Sequence, residues 1–253
     1  MPRLDQLLVI QGWARSRTRA QRLIRHGRVT LVSAQTPRVL TKPGETLPDT
    51  SRFAVAEDPE ERYVSRAGLK LEGVLEALNV RFDGMTVLDV GQSTGGFTDC
   101  ALRFGAARVV GIEVGHDQLA PTLREDARVT CLEGVNARAL PRERLDALAP
   151  EGLHAAVMDV SFISQTLILP ELAAVLAPGG QLISLVKPQF EVGPGKVDAH
   201  GVVRDPALFA DVEARIRTCC ADAGFAIRHW QESPLRGGDG NREFLLHAVI
   251  PRS

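Results

Sequence analysis

The sequence predicts an α/β protein in which a doubly wound, parallel sheet of seven strands follows a small N-terminal α+β domain. Two observations carry this prediction. From residue 65 onward, short apolar segments typical of buried strands alternate with helical segments, an order that favours a parallel sheet covered by helices. Residues 1–42, in contrast, combine short helical and strand patterns with an almost wholly basic set of charges.

The overall composition is typical of a globular protein without a membrane anchor. Hydrophobic residues make up 44% and charged residues 24% of the 253 residues. No apolar run approaches the roughly eighteen residues of a membrane-spanning helix, and the N-terminus lacks the apolar core of a secretory signal. The four cysteines show neither a CxxC pair nor a Cys/His metal spacing. We therefore expect reduced thiols, no metal and a cytoplasmic location.

Residues 1–58 are predicted to form the small domain, from two helices and three strands. The first helix carries an apolar stripe that Gly12 closes. Ser16 is the expected N-cap of the second helix, which ends at Gly27. Three short strands are predicted to follow, over residues 28–32, 38–40 and 53–56. A domain of this size buries little area and is marginally stable alone.

The charges of the first 42 residues are strongly asymmetric. Nine basic residues stand against the single acid Asp5, a net charge of +8, so the remaining chain must carry −9 to give the overall −1. Arginine is the usual cation throughout this chain, but that preference does not explain the missing acids. The asymmetry predicts a surface that binds nucleic acid. Its candidate side chains are those of Arg3, Arg15, Arg17, Arg19, Arg22, Arg25 and Arg28, and, farther along, Arg66.

This segment resembles the RNA-binding fold named after ribosomal protein S-four. The matching stretches are Arg3-Leu4-Asp5, Ser16-Arg17-Thr18-Arg19-Ala20 and Gly27-Arg28-Val29. The resemblance implies that the second helix and the turn after it lie along RNA phosphates, with which guanidinium groups pair bidentately. Such contacts position a protein on RNA without reading its sequence.

A polar, acidic stretch over residues 59–64 is predicted to link the small domain to a second domain, residues 65–253. Ser65 is the expected N-cap of a helix, after which a strand over residues 86–90 runs into a glycine-rich turn. Further strands are predicted over residues 108–113, 128–132, 155–159, 181–186, 226–230 and 243–249. Helical patterns separate most of these strands.

The turn that follows residues 86–90 carries the strongest local signal. Its spacing, G-x-x-x-G-G, fits neither the dinucleotide-binding fingerprint nor the phosphate-binding P-loop. It resembles the first motif of the class I methyltransferases, which have a Rossmann-like fold, and so implies S-adenosylmethionine as cofactor. A tight turn without a ligand is the alternative. The candidate cofactor-binding residues are Asp89, Gly91, Ser93, Thr94, Gly95, Gly96, Phe97, Glu113, Asn136 and Asp159.

Three residues depart from the pattern of that family. Gln92 stands where a small residue is commoner, Glu113 where Asp is commoner, and His116 where Tyr is frequent. The resemblance implies that the acid at Glu113 accepts hydrogen bonds from the ribose of the cofactor. The longer side chains are expected to alter cofactor affinity.

A second constellation consists of Lys70, Asp159, Lys187 and Glu243. Together these residues resemble the Lys-Asp-Lys-Glu tetrad of the FtsJ-like ribose 2′-O-methyltransferases. The neighbouring segments, among them residues 159–164 and 187–191, are closer still to the TlyA branch, whose members are often called haemolysins. The resemblance covers the whole chain. It implies methylation of a ribose 2′-hydroxyl in ribosomal RNA, with cytidine the expected nucleoside and ribosomal subunits the partners.

The chemistry of ribose methylation suits these residue types. A ribose hydroxyl is a poor nucleophile, so an enzyme must align it with the methyl group and ease the loss of its proton. By resemblance, Lys187 accepts this proton or stabilises the alkoxide, and Asp159 orients Lys187. Lys70 and Glu243 are expected to hold the hydroxyl and each other. Only four lysines occur in the chain, and two of them fall on this tetrad, which favours a need for an amine that can lose its proton.

Other functions fit the sequence less well. Methylation of base amino groups usually uses an Asn/Asp-Pro-Pro-aromatic run, whereas Asp159-Val160-Ser161-Phe162 stands here. Carbon-5 methylation of pyrimidines needs a cysteine nucleophile, and Cys219-Cys220 falls in a predicted helix. A pore-forming haemolysin needs a spanning helix or barrel hairpins, for which the sequence offers no candidate. A non-catalytic ribosome-assembly factor stays an alternative. The sequence leaves five points open: the target nucleotide, the ribosomal subunit, the choice of naked RNA or assembled particle, the oligomeric state and which lysine is the base.

Overall fold

The computed structural model describes residues 1–32 and 36–252. The chain divides into two compact units, Met1–Arg62 and Tyr63–Ser253. This division falls inside the predicted linker 59–64, whose first residues form a 3-10 helix, Pro59–Glu61, that belongs to the first unit. Each unit has an apolar core of its own.

The first unit consists of two helices and a three-stranded sheet, which confirms the predicted α+β fold. Its elements are α1 (Leu4–Ile10), α2 (Arg17–Arg25), β1 (Val29–Val32), β2 (Arg38–Leu40) and β3 (Arg52–Val55). The strands pair antiparallel in the order β2-β1-β3. Ser16 caps α2, because its hydroxyl accepts a hydrogen bond of 3.2 Å from the backbone N–H of Arg19.

The second unit is built on a seven-stranded sheet with helices on both faces, which confirms the predicted doubly wound architecture. Its helices are α3 (Ala67–Ala77), α4 (Gly96–Arg103), α5 (Pro121–Arg124), α6 (Arg142–Leu148), α7 (Leu169–Val175) and α8 (Pro206–Asp222). Its strands are β4 (Thr86–Val90), β5 (Arg108–Glu113), β6 (Val129–Glu133), β7 (Leu153–Met158), β8 (Leu176–Val186), β9 (Ala226–Glu232) and β10 (Phe244–Val249). The strand order is β6-β5-β4-β7-β8-β10-β9.

Successive residues of the central strands enter two separate cores. In β4, Leu88 joins a cluster that includes Val212 of α8, whereas Val87 joins a cluster that includes Val74 of α3. Because neighbouring strand side chains point to opposite faces, α3 and α4 cover one face and α7 and α8 the other. Each fully buried aliphatic side chain contributes about 1.5–3 kcal/mol, so the two cores hold the strand ends in fixed positions.

One strand runs against the predicted parallel order. The strands from β4 to β8 pair parallel with one another, but β10 pairs antiparallel with both β8 and β9. Residues 233–243 join β9 to β10 without a helix, and a parallel neighbour would need a longer crossover connection. The reversal brings the beginning of β10 to the edge at which the parallel strands end.

In residues 1–32 and 36–252, no helix is long and apolar enough to cross a membrane. The same residues contain no group of three His, Cys, Asp or Glu side chains arranged to hold a metal ion.

Candidate active site

The glycine-rich turn lies between the end of β4 and the beginning of α4. The backbone there adopts positive φ at Gly91 (+80°), Ser93 (+47°) and Gly95 (+94°). A β-carbon on Gly91 would lie 2.5 Å from the carbonyl oxygen of Asp159. Only glycine therefore allows the end of β4 to approach the end of β7 so closely.

A cavity of about 800 Å³ opens beside this turn, at the carboxyl ends of the parallel strands. Ligands of doubly wound folds bind at this edge. Of the predicted cofactor-binding residues, the cavity wall includes Gly91, Ser93, Glu113, Asn136 and Asp159. Much of the remaining wall is apolar, from Ile112, Val114, Val135, Ile163 and Ile168.

The carboxylate of Glu113 is held in place by two backbone donors. Its Oε2 accepts a hydrogen bond of 2.8 Å from the N–H of Ser93, and its Oε1 accepts one of 2.8 Å from the N–H of Gly115. Each carboxylate oxygen keeps capacity for a further bond. The fixed carboxylate of Glu113 could accept hydrogen bonds from the ribose hydroxyls of a nucleoside. The apolar wall suits its base, and the lack of a side chain at Gly91 leaves space for the ligand. The longer side chain at Glu113 is therefore compatible with the site.

The other predicted cofactor-binding residues are not among those that line this cavity, and their role as contacts stays a prediction. They are Asp89, Thr94, Gly95, Gly96 and Phe97. A β-carbon on Gly95 would lie 2.4 Å from Leu123 of α5, and one on Gly96 would lie 2.2 Å from the Ser65 hydroxyl. These two glycines are needed for close packing of the beginning of α4 against its neighbours. Phe97 belongs to the buried core beneath the turn.

Asp89 lies fully buried below the turn. Its Oδ2 accepts a hydrogen bond of 2.6 Å from Thr98, whose hydroxyl accepts one of 2.9 Å from the Gln92 amide. Burial raises the pKa of Asp89 to about 7, although the hydrogen bond from Thr98 opposes this rise. The chain Asp89–Thr98–Gln92 therefore joins the strand, the turn and α4, and supports the cavity wall from beneath.

Gln92 is not part of the cavity lining, and its effect on cofactor affinity stays a prediction. The side chain is buried against β5, where a β-carbon on Gly111 would lie 2.0 Å from its amide. The larger residue in the turn is accommodated because the facing strand has a glycine. These two positions lie far apart in the sequence, so only the fold shows that they compensate.

The four residues of the tetrad form two ion pairs at the same edge of the sheet. Lys70 Nζ lies 2.5 Å from Oε2 of Glu243, and both side chains are buried. Lys187 Nζ lies 2.6 Å from Oδ1 of Asp159 and donates a hydrogen bond of 3.0 Å to the Ser161 hydroxyl. The second pair is the more accessible, with side-chain exposures of 13% and 16%.

Strand register explains why these residues meet. Asp159 follows β7, Lys187 follows β8, and Glu243 precedes β10. Phe244 faces Val186 across the antiparallel pair of β10 and β8, so Glu243 and Lys187 are neighbours at one edge. Asp159 also lines the cavity, and the tetrad therefore adjoins the candidate cofactor site.

Comparison with known proteins identifies the family. Residues 63–249 match the FtsJ-like methyltransferase family, and residues 2–31 match the S4 domain. The chain belongs to the FtsJ-like methyltransferase family. Within this family, it is 41% identical to the 16S/23S rRNA (cytidine-2′-O)-methyltransferase TlyA of Mycobacterium tuberculosis, over 96% of this chain and 88% of that protein. It is 36% identical to Hemolysin A of Brachyspira hyodysenteriae, over 98% of this chain and 100% of that protein.

Solved structures agree with this assignment. A structure from Streptococcus thermophilus is 40% identical and superposes with a TM-score of 0.73, covering 100% of this chain and 89% of that one. An S-adenosylmethionine dependent methyltransferase from Mesorhizobium loti is 17% identical with a TM-score of 0.52, covering 71% of this chain and 97% of that one, and shares the fold alone. The methyltransferase family and fold imply that this FtsJ-like chain uses S-adenosylmethionine.

Several predicted RNA-binding arginines of this FtsJ-like protein are held by acids of their own unit. Arg3 and Arg17 lie 3.1 and 2.9 Å from the carboxylate of Asp5. Burial disfavours ionisation of Asp5, but hydrogen bonds from Arg3, Gln21 and Arg17 outweigh it and hold the pKa of Asp5 well below its usual range. Arg19 lies 2.6 Å from Glu61.

Within residues 1–32 and 36–252, the arginines of α2 form ion pairs as far as Arg22, but not at Arg25. Arg22 pairs with both Asp58 and Glu61, acids that the count over residues 1–42 did not include. Among the residues that the structure describes, Arg15, Arg25 and Arg28 form no ion pair, and Arg15 and Arg25 are exposed. Unpaired cations keep their full charge for a polyanion. Arg66, the N-cap residue of α3 in the second unit, is also exposed.

Sequence reasoning missed several residues of the FtsJ-like site. Ser161 accepts the hydrogen bond from Lys187, and Gln118 lines the cavity and accepts a hydrogen bond of 3.2 Å from the Ser93 hydroxyl. Phe162 also lines the cavity, as does Arg138, which the family resemblance places with Asn136 near the adenine. All lie in loops at the carboxyl edge of the sheet, and this position is a signal that could have identified them. For Ser161 and Phe162, the family-like segment 159–164 is a second signal.

Proposed function

We propose that this protein transfers a methyl group from S-adenosylmethionine to the 2′-hydroxyl of a ribose, with cytidine the expected nucleoside, in ribosomal RNA. The observation that carries the proposal is the Lys187–Asp159 ion pair, which joins the tetrad to the cavity. The relatives named TlyA support it, since those of Mycobacterium tuberculosis and Campylobacter jejuni are named rRNA (cytidine-2′-O)-methyltransferases. A ribosomal substrate implies that the protein acts in the cytoplasm.

The cavity residues would hold the cofactor. Glu113 would accept hydrogen bonds from the two ribose hydroxyls, and Gly91 and Ser93 would let the amino-acid part approach the backbone. Asn136 would lie beside the adenine, between apolar walls. When bound, S-adenosylmethionine supplies an activated methyl group on a positively charged sulfur. Asp89 and the glycines behind the turn would act indirectly, by fixing the shape of this wall.

Lys187 would handle the proton of the acceptor hydroxyl. Asp159 and Ser161 fix its Nζ at 2.6 and 3.0 Å, so the amine has a defined direction. At this atom Lys187 would accept the proton as a free amine, or stabilise the alkoxide as an ammonium while water takes the proton. The partial exposure of the Lys187–Asp159 pair gives a substrate access to it.

Lys70 and Glu243 would have a supporting role. Their charges satisfy each other at 2.5 Å and are almost fully buried, so neither is available to move a proton. A buried pair of this kind fixes geometry, because separating its members is costly. The pair would hold the acceptor ribose beside Lys187 through the adjoining edge of β10.

The N-terminal unit would bring the enzyme to its RNA. Arg15, Arg25 and Arg28 would pair with phosphates directly, whereas Arg3, Arg17, Arg19 and Arg22 must share their donors with local acids. Guanidinium groups suit this use because they bind phosphate bidentately and stay charged. Contacts of this kind supply affinity and position but carry no sequence information.

The proposal is tested by methyl transfer from labelled S-adenosylmethionine to purified ribosomal subunits. The wild type is compared with Lys187→Ala and with the control Lys196→Ala, which removes a lysine outside the tetrad. We expect label in ribosomal RNA at one linkage resistant to alkaline cleavage. This label should be absent with Lys187→Ala and unchanged with Lys196→Ala. Label on a base or on protein, or full activity of Lys187→Ala, would contradict the proposal.

A further inference from the structure

Two loops carry the reacting pair. Residues 159–165 follow β7 and contain Asp159 and Ser161, and residues 187–191 follow β8 and begin with Lys187. The first loop is strained at Phe162, a bulky residue at φ +63°. The side chain of Phe162 is 90% exposed, so core packing does not hold this conformation. Another contact must keep the loop in place.

The side chain of Glu191 supplies that contact. Its Oε2 accepts a hydrogen bond of 2.6 Å from the Ser164 hydroxyl, and its Oε1 accepts one of 2.8 Å from the backbone N–H of Gln165. Only 3% of Glu191 is exposed. Its own backbone carbonyl accepts a hydrogen bond of 2.6 Å from Arg215 of α8, so the residue is anchored on both sides.

The turn that contains Glu191 begins at Lys187. The N–H of Phe190 donates to the carbonyl of Lys187 at 3.0 Å, and the N–H of Glu191 donates to Pro188 at 2.9 Å. A shift of Glu191 would therefore shift Lys187. The rings of Phe162 and Phe190 also meet, with their centroids 4.9 Å apart.

Gln165 completes the connection on the strand side. Its amide donates a hydrogen bond of 2.7 Å to the Leu185 carbonyl and accepts one of 2.8 Å from the Ser184 hydroxyl. These residues of β8 lie two and three positions before Lys187. Glu191 thus closes a buried hydrogen-bonded ring between the two loops, and buried networks of this kind fix one geometry when every member is satisfied.

We propose that Glu191 is a positioning residue that fixes Lys187 against Asp159 by holding the loop after β7 to the turn after β8. Glu191 is not part of the cavity lining and does not touch the reacting pair; it contacts the lining through the hydrogen bond from Ser164, and it acts through the loops that carry Asp159 and Lys187. The proposal rests on the proposed methyltransferase function for its effect on turnover. Its effect on Lys187 itself is independent of that function.

The test compares Glu191→Ala, Glu191→Gln and Val212→Ala. Glutamine keeps both bonds if the Ser164 hydroxyl reverses from donor to acceptor, and so acts as the conservative variant. Val212→Ala removes buried volume in α8 without removing any hydrogen bond of the two loops, and controls for lowered thermal stability. We expect Glu191→Ala to lower kcat at least tenfold, with the Kd for S-adenosylmethionine changed less than threefold. Glu191→Gln and Val212→Ala should keep kcat within threefold of the wild type.

A second measurement does not require turnover. The rate at which an amine-selective acylating reagent labels Lys187 is measured by peptide mass, relative to Lys196 in the same chain. Glu191→Ala should raise this ratio at least fivefold, because Lys187 is released from Asp159 and Ser161. If the wild type methylates no RNA but the ratio rises, the positioning role stands and the proposed function fails. An unchanged ratio, or an equal loss of kcat in Val212→Ala, would overturn the proposal.

Discussion

Removal of Lys70 should destabilise the second unit more than removal of any exposed charge. Lys70 and Glu243 lie 2.5 Å apart with side-chain exposures of 7% and 3%. Unit charges at this distance attract by about 7 kcal/mol at an effective dielectric constant of about 20, and the cost of removing both from water offsets much of that gain. The pair therefore contributes little net stability, but Lys70→Ala leaves the Glu243 carboxylate buried without its partner. We expect a loss of about 3–5 kcal/mol in the free energy of unfolding.

The two tryptophans make this measurement specific to one unit. Trp13 belongs to the first unit and Trp230 to the second, so a Trp13→Phe background reports unfolding of the second unit alone. Chemical denaturation is followed by the fluorescence of Trp230. Lys187→Ala is the matched control, because its pair with Asp159 is more exposed and should contribute only about 1–2 kcal/mol.

A double variant separates charge from packing. Lys70→Met combined with Glu243→Leu removes both charges and keeps most of the volume, so stability should recover to within about 1–2 kcal/mol of the wild type. Methyl transfer should stay lost, because the tetrad is incomplete. A loss of less than about 1 kcal/mol for Lys70→Ala, or no recovery in the double variant, would refute this account of the pair.

Three further predictions concern other parts of the chain. Burial raises the pKa of Asp89 from 3.8 to about 7, so between these values the folded state holds a proton that the unfolded chain releases. The free energy of unfolding should therefore fall by up to about 4 kcal/mol as the pH rises from 4 to 7. Asp89→Asn should flatten this pH dependence when unfolding is followed by the fluorescence of Trp230. Gly111→Ala places a β-carbon 2.0 Å from the Gln92 amide and should lower the free energy of unfolding by about 1–3 kcal/mol. Adding Gln92→Ala should restore the free energy of unfolding. If it does not, the loss has a cause other than the clash with Gln92. Arg25→Ala should weaken RNA binding equally for all sequences and reduce the salt dependence by about one unit of slope, as measured by binding titrations from about 50 to 200 mM salt.

Local signals in the sequence were sufficient for much of the fold. These signals are the period of the apolar residues, the helix cap at Ser16 and the spacing of the glycine-rich turn. Each depends on residues that lie close together in the sequence. Such interactions can be read directly from the sequence. The direction of β10 could not be read in this way, because it depends on the connection after β9 and on pairing with β8.

The candidate site divides in the same manner. The residue types at Lys70, Asp159, Lys187 and Glu243 were recognisable from their motifs. The cavity wall was not, because it is assembled from loops after several strands, and the turn residues Asp89 and Phe97 proved to lie beneath it. Spacing in the motif gives the turn its shape but does not show which side of the turn faces a ligand.

The sequence by itself determined the class of fold and the family, and it predicted the two units and the four residues of the tetrad, because these depend on local pattern and on residue identity. Only the tertiary structure decided how charges and volumes are paired. Asp5, Asp58 and Glu61 form ion pairs with arginines that the sequence predicts to bind RNA. Gly111 leaves space for the Gln92 side chain. Glu191 joins two loops that the chain order separates. These contacts connect residues distant in sequence, and packing of the whole sheet is what brings them within a few ångströms.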